Sequence, residues 1–309
     1  MRERAMVPEP EFESYYGRQI LKTPTWKTPD VPLYLFLGGM AGASALLAEG
    51  AAITGRPGLE RVTRVAAAAG AGAGTVALVH DLGRPERFLK MLRVLKVTSP
   101  LSVGSFILAP FSGLSAAALA SNLTGRLPRL GRLAGLGAAA LGPPLASYTA
   151  ALIGDTAVPA WHDAHRELPL IFVGSGATAA GGVALVATSV EENGPARLMA
   201  IAGAGIEITA AELLKRRLGM VAEPYQQGRP GLLMKTARAM TAASAALTVV
   251  AGRSRALCAL AGASYVTASM FTRFGIFEAG VASAKDPKYT VVPQRQRLEQ
   301  RKAEAAAST

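Results

Sequence analysis

Residues 37–52 read LGGMAGASALLAEGAA, and this stretch decides the fold class. Glu49 is its only charged residue, and small residues alternate with leucine and methionine. Extended to residues 31–53, the segment is long enough to cross about 30 Å of hydrocarbon at about 1.5 Å per residue. Small residues at four-residue spacing let helices approach closely where lipid removes the usual hydrophobic drive. The stretch therefore predicts a membrane-spanning helix in a tight bundle.

The rest of the chain has the same character. Half of its 309 residues are hydrophobic and 17% are charged, against about 25% in an ordinary soluble domain. Long stretches with almost no charge alternate with short basic or Pro/Gly-containing connectors. We predict an all-α integral membrane protein, a bundle of eight transmembrane helices with both termini on the same side. The predicted spans are 31–53, 62–79, 101–121, 132–153, 168–190, 196–214, 236–252 and 256–272.

The two polar ends of the chain are predicted to dock partners. Residues 1–30 are mixed-charge and aromatic and lack the basic region and short apolar core of a secretory signal, so the first span is expected to stay as an anchor. We predict a docking segment at 1–30, a membrane domain at 31–272 and a docking tail at 273–309, disordered at its end. The residues after Val292 fit a charged surface helix or a disordered tail.

Lysine and arginine are distributed unequally between the two predicted faces. The face that carries the termini holds 23 of the 33 Lys and Arg residues, and the opposite connectors hold 9. The positive-inside rule then puts the termini in the cytoplasm, which predicts a multi-pass protein of the inner, cytoplasmic membrane. The same basic face could instead dock a partner or anionic membrane lipid.

Residue types that hold metals are scarce. Cys258 is the only cysteine, so the chain alone cannot ligate an iron–sulfur cluster. The histidines, His80, His162 and His165, lie at span ends or in one connector, so no bis-histidine haem is expected. The chain lacks phosphate-loop, zinc-protease and nucleophile-elbow motifs. Its net charge of +12 comes without an aromatic-interleaved basic domain, so no nucleic acid partner is expected.

The second predicted span ends abruptly in polar residues, in the stretch VALVHDLGRPERFLKML at 76–92. His80 and Asp81 reach the membrane boundary, and a glycine and a proline turn the chain at once. A neutral imidazole can donate to or accept from a carbonyl group. The carboxylate can orient the ring or supply a proton, and Arg84 offers a fixed fork to an anion. A solvated interfacial turn is the alternative.

The fourth predicted span contains Pro143 and Pro144, which predict a kink or a break near mid-bilayer. Tyr148 and Asp155 are seven residues apart and lie on one helix face, where they could hydrogen-bond a quinone head group and relay its protons. The alternative has Tyr148 bonded to a carbonyl group that the kink frees. Trp161 is either an interfacial anchor or a wall of the quinone pocket.

Three carboxylates fall within predicted spans. Such groups are costly in a bilayer and usually mark a pathway. Glu207 is the stronger candidate for proton transfer, whereas Glu212 lies one turn from Lys215 and fits an interfacial ion pair as well. Glu49, near the far end of the first span, is either a proton outlet or an ordinary interfacial charge.

Several motifs together resemble the NrfD/PsrC family, the membrane subunits of polysulfide reductase-like respiratory complexes. The most specific are HDLGRP at 80–85, YTAALIGDTAVPAW at 148–161 and SAKDPKYTVVPQR at 283–295, and the likeness runs from about residue 14 to 297. The sequence looks like the branch found beside formate dehydrogenase-type molybdenum subunits. It departs from the family pattern at Ala150, where glycine is more frequent, and this change is expected to narrow the pocket.

The resemblance implies an eight-helix, haem-free subunit that reacts with menaquinone or ubiquinone. It implies as partners an iron–sulfur subunit of the four-cluster ferredoxin type and a molybdopterin catalytic subunit. Several complexes of the family dock their partners on the periplasmic face, which differs from the positive-inside count; the prediction for this sequence stays cytoplasmic. The matched positions with implied quinone-pocket or proton-relay roles are His80, Asp81, Arg84, Tyr148 and Asp155.

These observations predict a subunit that exchanges electrons between an iron–sulfur partner and the quinone pool. Two other functions fit parts of the sequence. A proton-coupled transporter would use the broken fourth span and Glu207, but the second half lacks a matching interrupted span. A passive membrane anchor of a soluble oxidoreductase would have no reason to bear the cost of intramembrane carboxylates.

Overall fold

The computed structural model describes residues 20–84 and 86–307, and every element within these ranges is helical. The predicted docking segment at 1–30 falls mostly outside them. Within the described ranges, eight helices of 20–31 residues form the bundle, a ninth of 20 residues follows them, and the shorter helices lie in the connectors. The α-helices are α1 Asp30–Ile53, α2 Pro57–Asp81, α3 Glu86–Met91, α4 Pro100–Thr124, α5 Pro128–Gly154, α6 Pro159–Asp163, α7 Leu168–Ala187, α8 Gly194–Leu218, α9 Gly228–Val250, α10 Arg255–Lys285 and α11 Lys288–Ala307, with a 3₁₀ helix at Gly219–Tyr225.

Local sequence fixes many of the helix ends. Proline occupies the first or second position of α2, α4, α5, α7 and α8, where its missing N–H would have no helical partner. Ser254 caps α10 by accepting a hydrogen bond from the backbone N–H of Leu257. Gly125, with φ 68°, ends α4 in a left-handed conformation that favours glycine. The helices therefore end at the short Pro- and Gly-containing connectors that the sequence predicts between the apolar stretches.

Five helices of the described chain, α1, α2, α4, α5 and α7, are long and apolar enough to cross a membrane. The chain is therefore a multi-pass helical membrane protein. The other three long helices, α8, α9 and α10, coincide with the remaining predicted spans, but they carry more charge. Lys215, Arg216 and Arg217 occupy the last turn of α8, and Lys235 and Arg238 lie within α9.

Contacts gather the connectors at the two ends of the bundle. At the proximal end, where α1 begins, the Trp26 ring stacks on the Trp161 ring with 5.6 Å between centroids. The Tyr225 hydroxyl there donates to the backbone oxygen of Ala160 over 2.7 Å. At the distal end, where α1 finishes, the Leu59 N–H donates to the Glu192 carboxylate over 2.8 Å. Connectors predicted to share a face thus lie together.

Helix α1 is central to the bundle, with 78% of its span buried by other helices. It crosses α5 and α7 at glycines. A Cβ atom on Gly42 would overlap the carbonyl group of Gly142, and one on Gly176 would come within 2.7 Å of the Gly39 carbonyl oxygen. These backbone-to-backbone crossings are the close approaches that the small-residue pattern predicts.

Helix α5 runs without interruption through Pro143 and Pro144, so of the predicted kink or break the break is absent. Tyr148 does not bond to a carbonyl group freed by the prolines. Instead the Ser147 hydroxyl donates to the Pro143 carbonyl oxygen over 2.9 Å. Because α5 is continuous, one of the two features behind the transporter alternative, the broken fourth span, is absent, and Glu207 is the other.

Helix α10 continues beyond residue 272, the predicted end of the last span, to Lys285. Arg273, counted in the sequence as a charge of the tail, is fully buried in the bundle. Arg64, counted on the opposite face, is also buried. Removing both leaves 22 basic residues against 8, so the asymmetry remains. After α10 the chain forms the charged, largely exposed helix α11.

Candidate functional site

A cavity of about 210 Å³ lies at the proximal end between α1, α2, α4 and α5. Most of its wall is apolar, and two carboxylates, Asp81 and Asp155, line it together with the phenol ring of Tyr34. We call it the carboxylate cavity. The complete lining is Trp26, Val31, Tyr34, Leu78, Asp81, Leu82, Ser99, Pro100, Leu101, Leu152, Asp155 and Thr156.

Helix ends position the two carboxylates. Asp81 is the last residue of α2, and its Oδ1 accepts a hydrogen bond from the backbone N–H of Lys27 over 2.8 Å. Asp155 caps the C-terminus of α5, and its own N–H donates to the Ala151 carbonyl oxygen over 2.9 Å. The segment before α1 therefore closes over the end of α2. The structure brings together two of the predicted quinone-site residues, from segments 74 residues apart in sequence.

Tyr34 is the residue of this cavity that the sequence did not identify. It is 1% exposed, and its hydroxyl group has no hydrogen-bond partner among the described residues. A buried hydroxyl without a partner is costly and uncommon. Because Tyr34 belongs to the cavity lining, its hydroxyl group is a candidate ligand contact.

His80 does not line the carboxylate cavity. Consecutive residues of an α-helix point about 100° apart, so His80 and Asp81 face different directions. The imidazole Nδ1 lies 2.7 Å from the Asp30 carboxylate, and 71% of the side chain is exposed. It borders a groove on the outer side of α2, next to Val76 and Val79. The His80–Asp81 pair is thus divided between two surfaces.

Three further predicted residues also lie outside the cavity lining. Arg84 is exposed. Tyr148 is buried against Gly104, where a Cβ atom would overlap its ring, and its hydroxyl group has no partner in the described chain. It lies one turn deeper in α5 than Leu152, which does line the cavity. Ala150, which was expected to narrow the quinone pocket, is buried but does not line this cavity, so its methyl group does not change the size of the cavity.

Trp161 is fully buried behind the cavity rather than at the membrane surface. Its indole N–H donates to the Ile276 carbonyl oxygen over 2.8 Å, and its ring overlies Gly280, where no side chain would fit. Trp26 stacks on its other side and belongs to the cavity wall. Trp161 therefore supports the wall through Trp26, and it also borders a second cavity of about 340 Å³ on the far side of Trp26.

A buried polar cluster joins α1, α7, α8 and α10 deeper in the bundle. Glu207 accepts a hydrogen bond from the Thr272 hydroxyl over 2.7 Å, and its other carboxylate oxygen has no partner among the described residues. The Arg273 guanidinium donates to the carbonyl oxygens of Leu35 (3.3 Å) and Phe172 (2.7 Å), with one nitrogen left unpaired. Glu207 is therefore a buried carboxylate in a polar part of the bundle interior.

The other two predicted proton-transfer residues are in ion pairs. Glu49 lies 2.8 Å from Arg64, both buried, and Arg64 also contacts Glu60 over 2.8 Å. This cluster lies near the distal end, opposite the carboxylate cavity. Glu212 is partly exposed and pairs with Arg216 (3.5 Å) and Arg238 (3.1 Å). Its contacts match the interfacial ion-pair interpretation.

Sequence reasoning missed Tyr34, Asp30 and Arg273. The partners of Arg273 are carbonyl groups of two other helices, which local sequence does not identify. Within the described ranges, no group of three or more His, Cys, Asp or Glu side chains could hold a metal ion. The expectation of a haem-free subunit stays a prediction.

The fold and the cavity define a class: a multi-pass helical membrane protein with an apolar, carboxylate-rimmed cavity at one membrane boundary. The family profile described as "Polysulphide reductase, NrfD" matches residues 21–214, more than half of the chain and all of the residues lining the carboxylate cavity. The chain belongs to the NrfD family, which consists of membrane subunits of quinone-reactive oxidoreductase complexes. No curated protein matches the chain.

Proposed function

We propose that this subunit exchanges two electrons and two protons between a quinone and an iron–sulfur partner, with the quinone head group in the carboxylate cavity. The observation that carries the proposal is the cavity itself: an apolar slot at a membrane boundary, rimmed by two carboxylates and a phenol group without a partner. Family membership supports the quinone as ligand.

The lining suits a menaquinone or ubiquinone head group. Leucines from α2, α4 and α5 provide apolar contact for a flat ring, and Trp26 offers an aromatic face. The Tyr34 hydroxyl, otherwise unsatisfied, would donate to one quinone carbonyl group. A quinone takes up two electrons and two protons to form a quinol, so the protein must deliver one proton to each of two oxygen atoms.

Asp81 and Asp155 are the proposed proton donors of the cavity. Asp155 is exposed at its rim, and Asp81 is partly exposed, so both can exchange protons with water at the proximal end. His80 and Asp30 form a second titratable pair at the neighbouring groove and would feed protons towards Asp81. Outside the cavity, Tyr148, Glu207, Glu212 and Glu49 remain candidates for proton transfer.

The proximal end is also the proposed docking face. It carries Arg84, the segment before α1 and helix α11, and most of the basic residues of the chain. We infer eight membrane crossings with both termini cytoplasmic in the inner membrane, and a four-cluster ferredoxin-type subunit bound at this end. A molybdopterin subunit would join through that partner. Electrons would then enter close to the cavity without crossing the bilayer.

The test is quinol formation by the purified complex with Asp81→Asn and Asp155→Asn, each of which keeps the shape but removes the proton. General acid catalysis contributes about 10² or more, so we expect turnover to fall on the order of a hundredfold in each variant. Glu86→Gln, an exposed carboxylate at the same end outside the cavity, is the matched control. His80→Ala should cost less, because His80 is outside the lining.

Equal turnover in the two aspartate variants and the Glu86→Gln control would refute the site. The passive-anchor alternative makes a further distinct prediction, namely that no quinone co-purifies with the subunit and that Glu207→Gln has no effect. Extraction of bound quinone from the wild-type complex therefore distinguishes a quinone-reactive subunit from a passive anchor. This measurement does not depend on whether other groups supply the protons in the aspartate variants.

A further inference from the structure

The distal end contains a second polar cleft, of about 450 Å³, at the opposite end of the bundle from the carboxylate cavity. Three connectors form it: α1–α2, α7–α8 and α9–α10. The lining includes Arg56 and Arg253 from the first and third of these connectors and Arg197 from the first turn of α8, directly after the second. The distal end holds few basic residues, yet three of these basic residues line this one cleft. The cleft also has the size of a small-molecule site.

The charges in the cleft are mostly uncompensated. Glu191 is the one carboxylate in the lining, against three guanidinium groups. The neighbouring Glu192 is engaged elsewhere, since it accepts from the Leu59 N–H at the start of α2. The Arg253 side chain is exposed and makes no hydrogen bond to the described residues. The cleft therefore carries an excess of positive charge.

Two buried donors in the cleft lack acceptors. Asn193 is 1% exposed, and its amide Nδ2 has no partner in the described chain, although its Oδ1 accepts from Arg197 Nε over 3.0 Å. The Nε of Arg56 is likewise buried and unpaired, while its Nη1 donates to the Glu191 backbone oxygen over 3.2 Å. Unpaired buried donors are costly, and both belong to residues of the cleft lining.

The N-terminus of α8 adds to this field. Asn193 is its N-cap and Gly194 its first residue, and both line the cleft. The first N–H groups of a helix have no helical partners and carry a partial positive charge, which makes them an anion site when other donors are present. Arginine pairs with phosphate through two parallel hydrogen bonds. Backbone, amide and guanidinium donors thus share one concave surface.

We propose that the distal cleft binds a phosphate group and that a phospholipid of the adjacent leaflet supplies it. Exposed apolar side chains lie on the helix ends next to each connector, within three residues of the lining, as a lipid with its acyl chains along the bundle would require. These are Ile53 (68% exposed), Leu198 (71%) and Val250 (71%). The bound phosphate joins the three connectors and so stabilises the distal end. This site is independent of the quinone cavity.

The test measures the thermal midpoint of the purified full-length chain in detergent at constant ionic strength. The added probes are dioleoylphosphatidylglycerol, inorganic phosphate and, as the neutral control, dioleoylglycerol. We expect phosphatidylglycerol to raise the midpoint of the wild-type protein and dioleoylglycerol to leave it unchanged. Arg253→Gln, at an exposed position, should require about tenfold more phosphatidylglycerol for the same shift, as expected for a lost charge-assisted hydrogen bond.

Arg129→Gln is the matched control, because Arg129 is also an exposed arginine at the distal end but lies outside the cleft. Its response should equal that of the wild type. If inorganic phosphate alone stabilises the protein with the same dependence on Arg253, the phosphate site stands and its source is a free anion. Equal responses of Arg253→Gln and Arg129→Gln to both anions, or stabilisation by dioleoylglycerol, would overturn the proposal.

Discussion

Tyr34 illustrates how one residue can separate function from stability. Its ring packs against α2 near Gly74 and contributes to the core, whereas its hydroxyl group contributes no hydrogen bond within the described chain. The ring and the hydroxyl group thus have different tasks. Removing only the oxygen atom tests the second without disturbing the first.

We therefore expect Tyr34→Phe to leave the thermal midpoint of the subunit unchanged or slightly raised, because no protein hydrogen bond is lost. The KM for quinone should rise by about twofold to tenfold, the value of one neutral hydrogen bond. Steady-state kinetics with a soluble quinone analogue and a melting curve of the same sample provide the two measurements. A fall in stability with unchanged KM would assign the hydroxyl group to an internal partner.

Local sequence can identify some residues of the site but not others. It pointed to Asp81 and Asp155, whereas it did not point to Tyr34 and Arg273. A carboxylate at the end of an apolar run must lie near the membrane boundary, so local sequence places it. The partners of Arg273 are the carbonyl oxygens of Leu35 and Phe172, 238 and 101 residues away in sequence. Only the packing of three helices brings them together, and no local pattern records it.

At the scale of elements, glycine positions determine how closely α1 approaches its neighbours. Gly42 and Gly38 are four residues apart on this helix, yet only Gly42 faces a backbone. A Cβ atom at Gly38 would have no atom within 4 Å, whereas one at Gly42 would overlap the Gly142 carbonyl group. The small-residue pattern predicted close helix contacts along α1, but it did not show which of these two glycines makes the contact.

Gly42→Ala should destabilise the bundle by about 1–3 kcal/mol, because α1 and α5 must separate to admit the methyl group. Gly38→Ala should be neutral or stabilising by up to about 1 kcal/mol, since alanine is the better helix former. Reversible unfolding in mixed micelles measures both changes. Equal stabilities of the two variants would contradict the backbone contact between α1 and α5 at Gly42.

Helix α11 is attached by a different kind of interaction. The Lys288 ammonium group donates to the Glu223 carboxylate over 2.9 Å and thereby lowers the pKa of Glu223, while the same bond raises the pKa of Lys288. The Tyr289 hydroxyl also donates to this carboxylate. The contact links the start of α11 to the 3₁₀ helix after α8.

The attachment of α11 should therefore depend on pH. The stabilisation from the Glu223 carboxylate is present above the ordinary pKa of a glutamate and is lost as the pH falls through its lowered pKa. The stabilisation from the Lys288 ammonium group is present below the ordinary pKa of a lysine and is lost as the pH rises through its raised pKa. The helix should be held from about pH 5 to about pH 10. A nitroxide label at Gln296→Cys should become mobile in acid, and Glu223→Gln should free it at neutral pH.

Lys302→Gln, an exposed change in the same helix, is the control for that measurement and should leave the label's mobility unchanged at neutral pH. If the mobility of the label is the same in Glu223→Gln and in this control at pH 7, other contacts hold the helix. The single native cysteine, Cys258, is buried and does not compete for the label.

For the whole molecule, the fold class followed from composition, and the long helices occupy the expected places. The number of crossings is a separate question, because five helices have the apolar length that a span needs and α8, α9 and α10 do not. Some charged residues of these helices bind backbone carbonyl groups inside the bundle, as Arg273 does, whereas others, such as Arg216 and Lys235, are exposed. The number of crossings also fixes the location of the C-terminus.

Single cysteines introduced at Arg87, Arg126 and Lys302, all exposed, measure the number of crossings. With eight spans, Arg87→Cys and Lys302→Cys should react with a membrane-impermeant thiol reagent from one side of sealed vesicles and Arg126→Cys from the other. With five spans, Lys302→Cys would react from the side of Arg126→Cys. The buried Cys258 leaves the background low.

The Glu49–Arg64 ion pair has a consequence for how the protein is made. Its partners lie on α1 and α2, only 15 residues apart in sequence, and both are buried. When α1 leaves the ribosome, it carries a carboxylate that is costly in lipid, and the compensating guanidinium group follows with the next helix. The first two helices should therefore partition into the bilayer as one hairpin, whose charges are already neutralised when the translocon releases it.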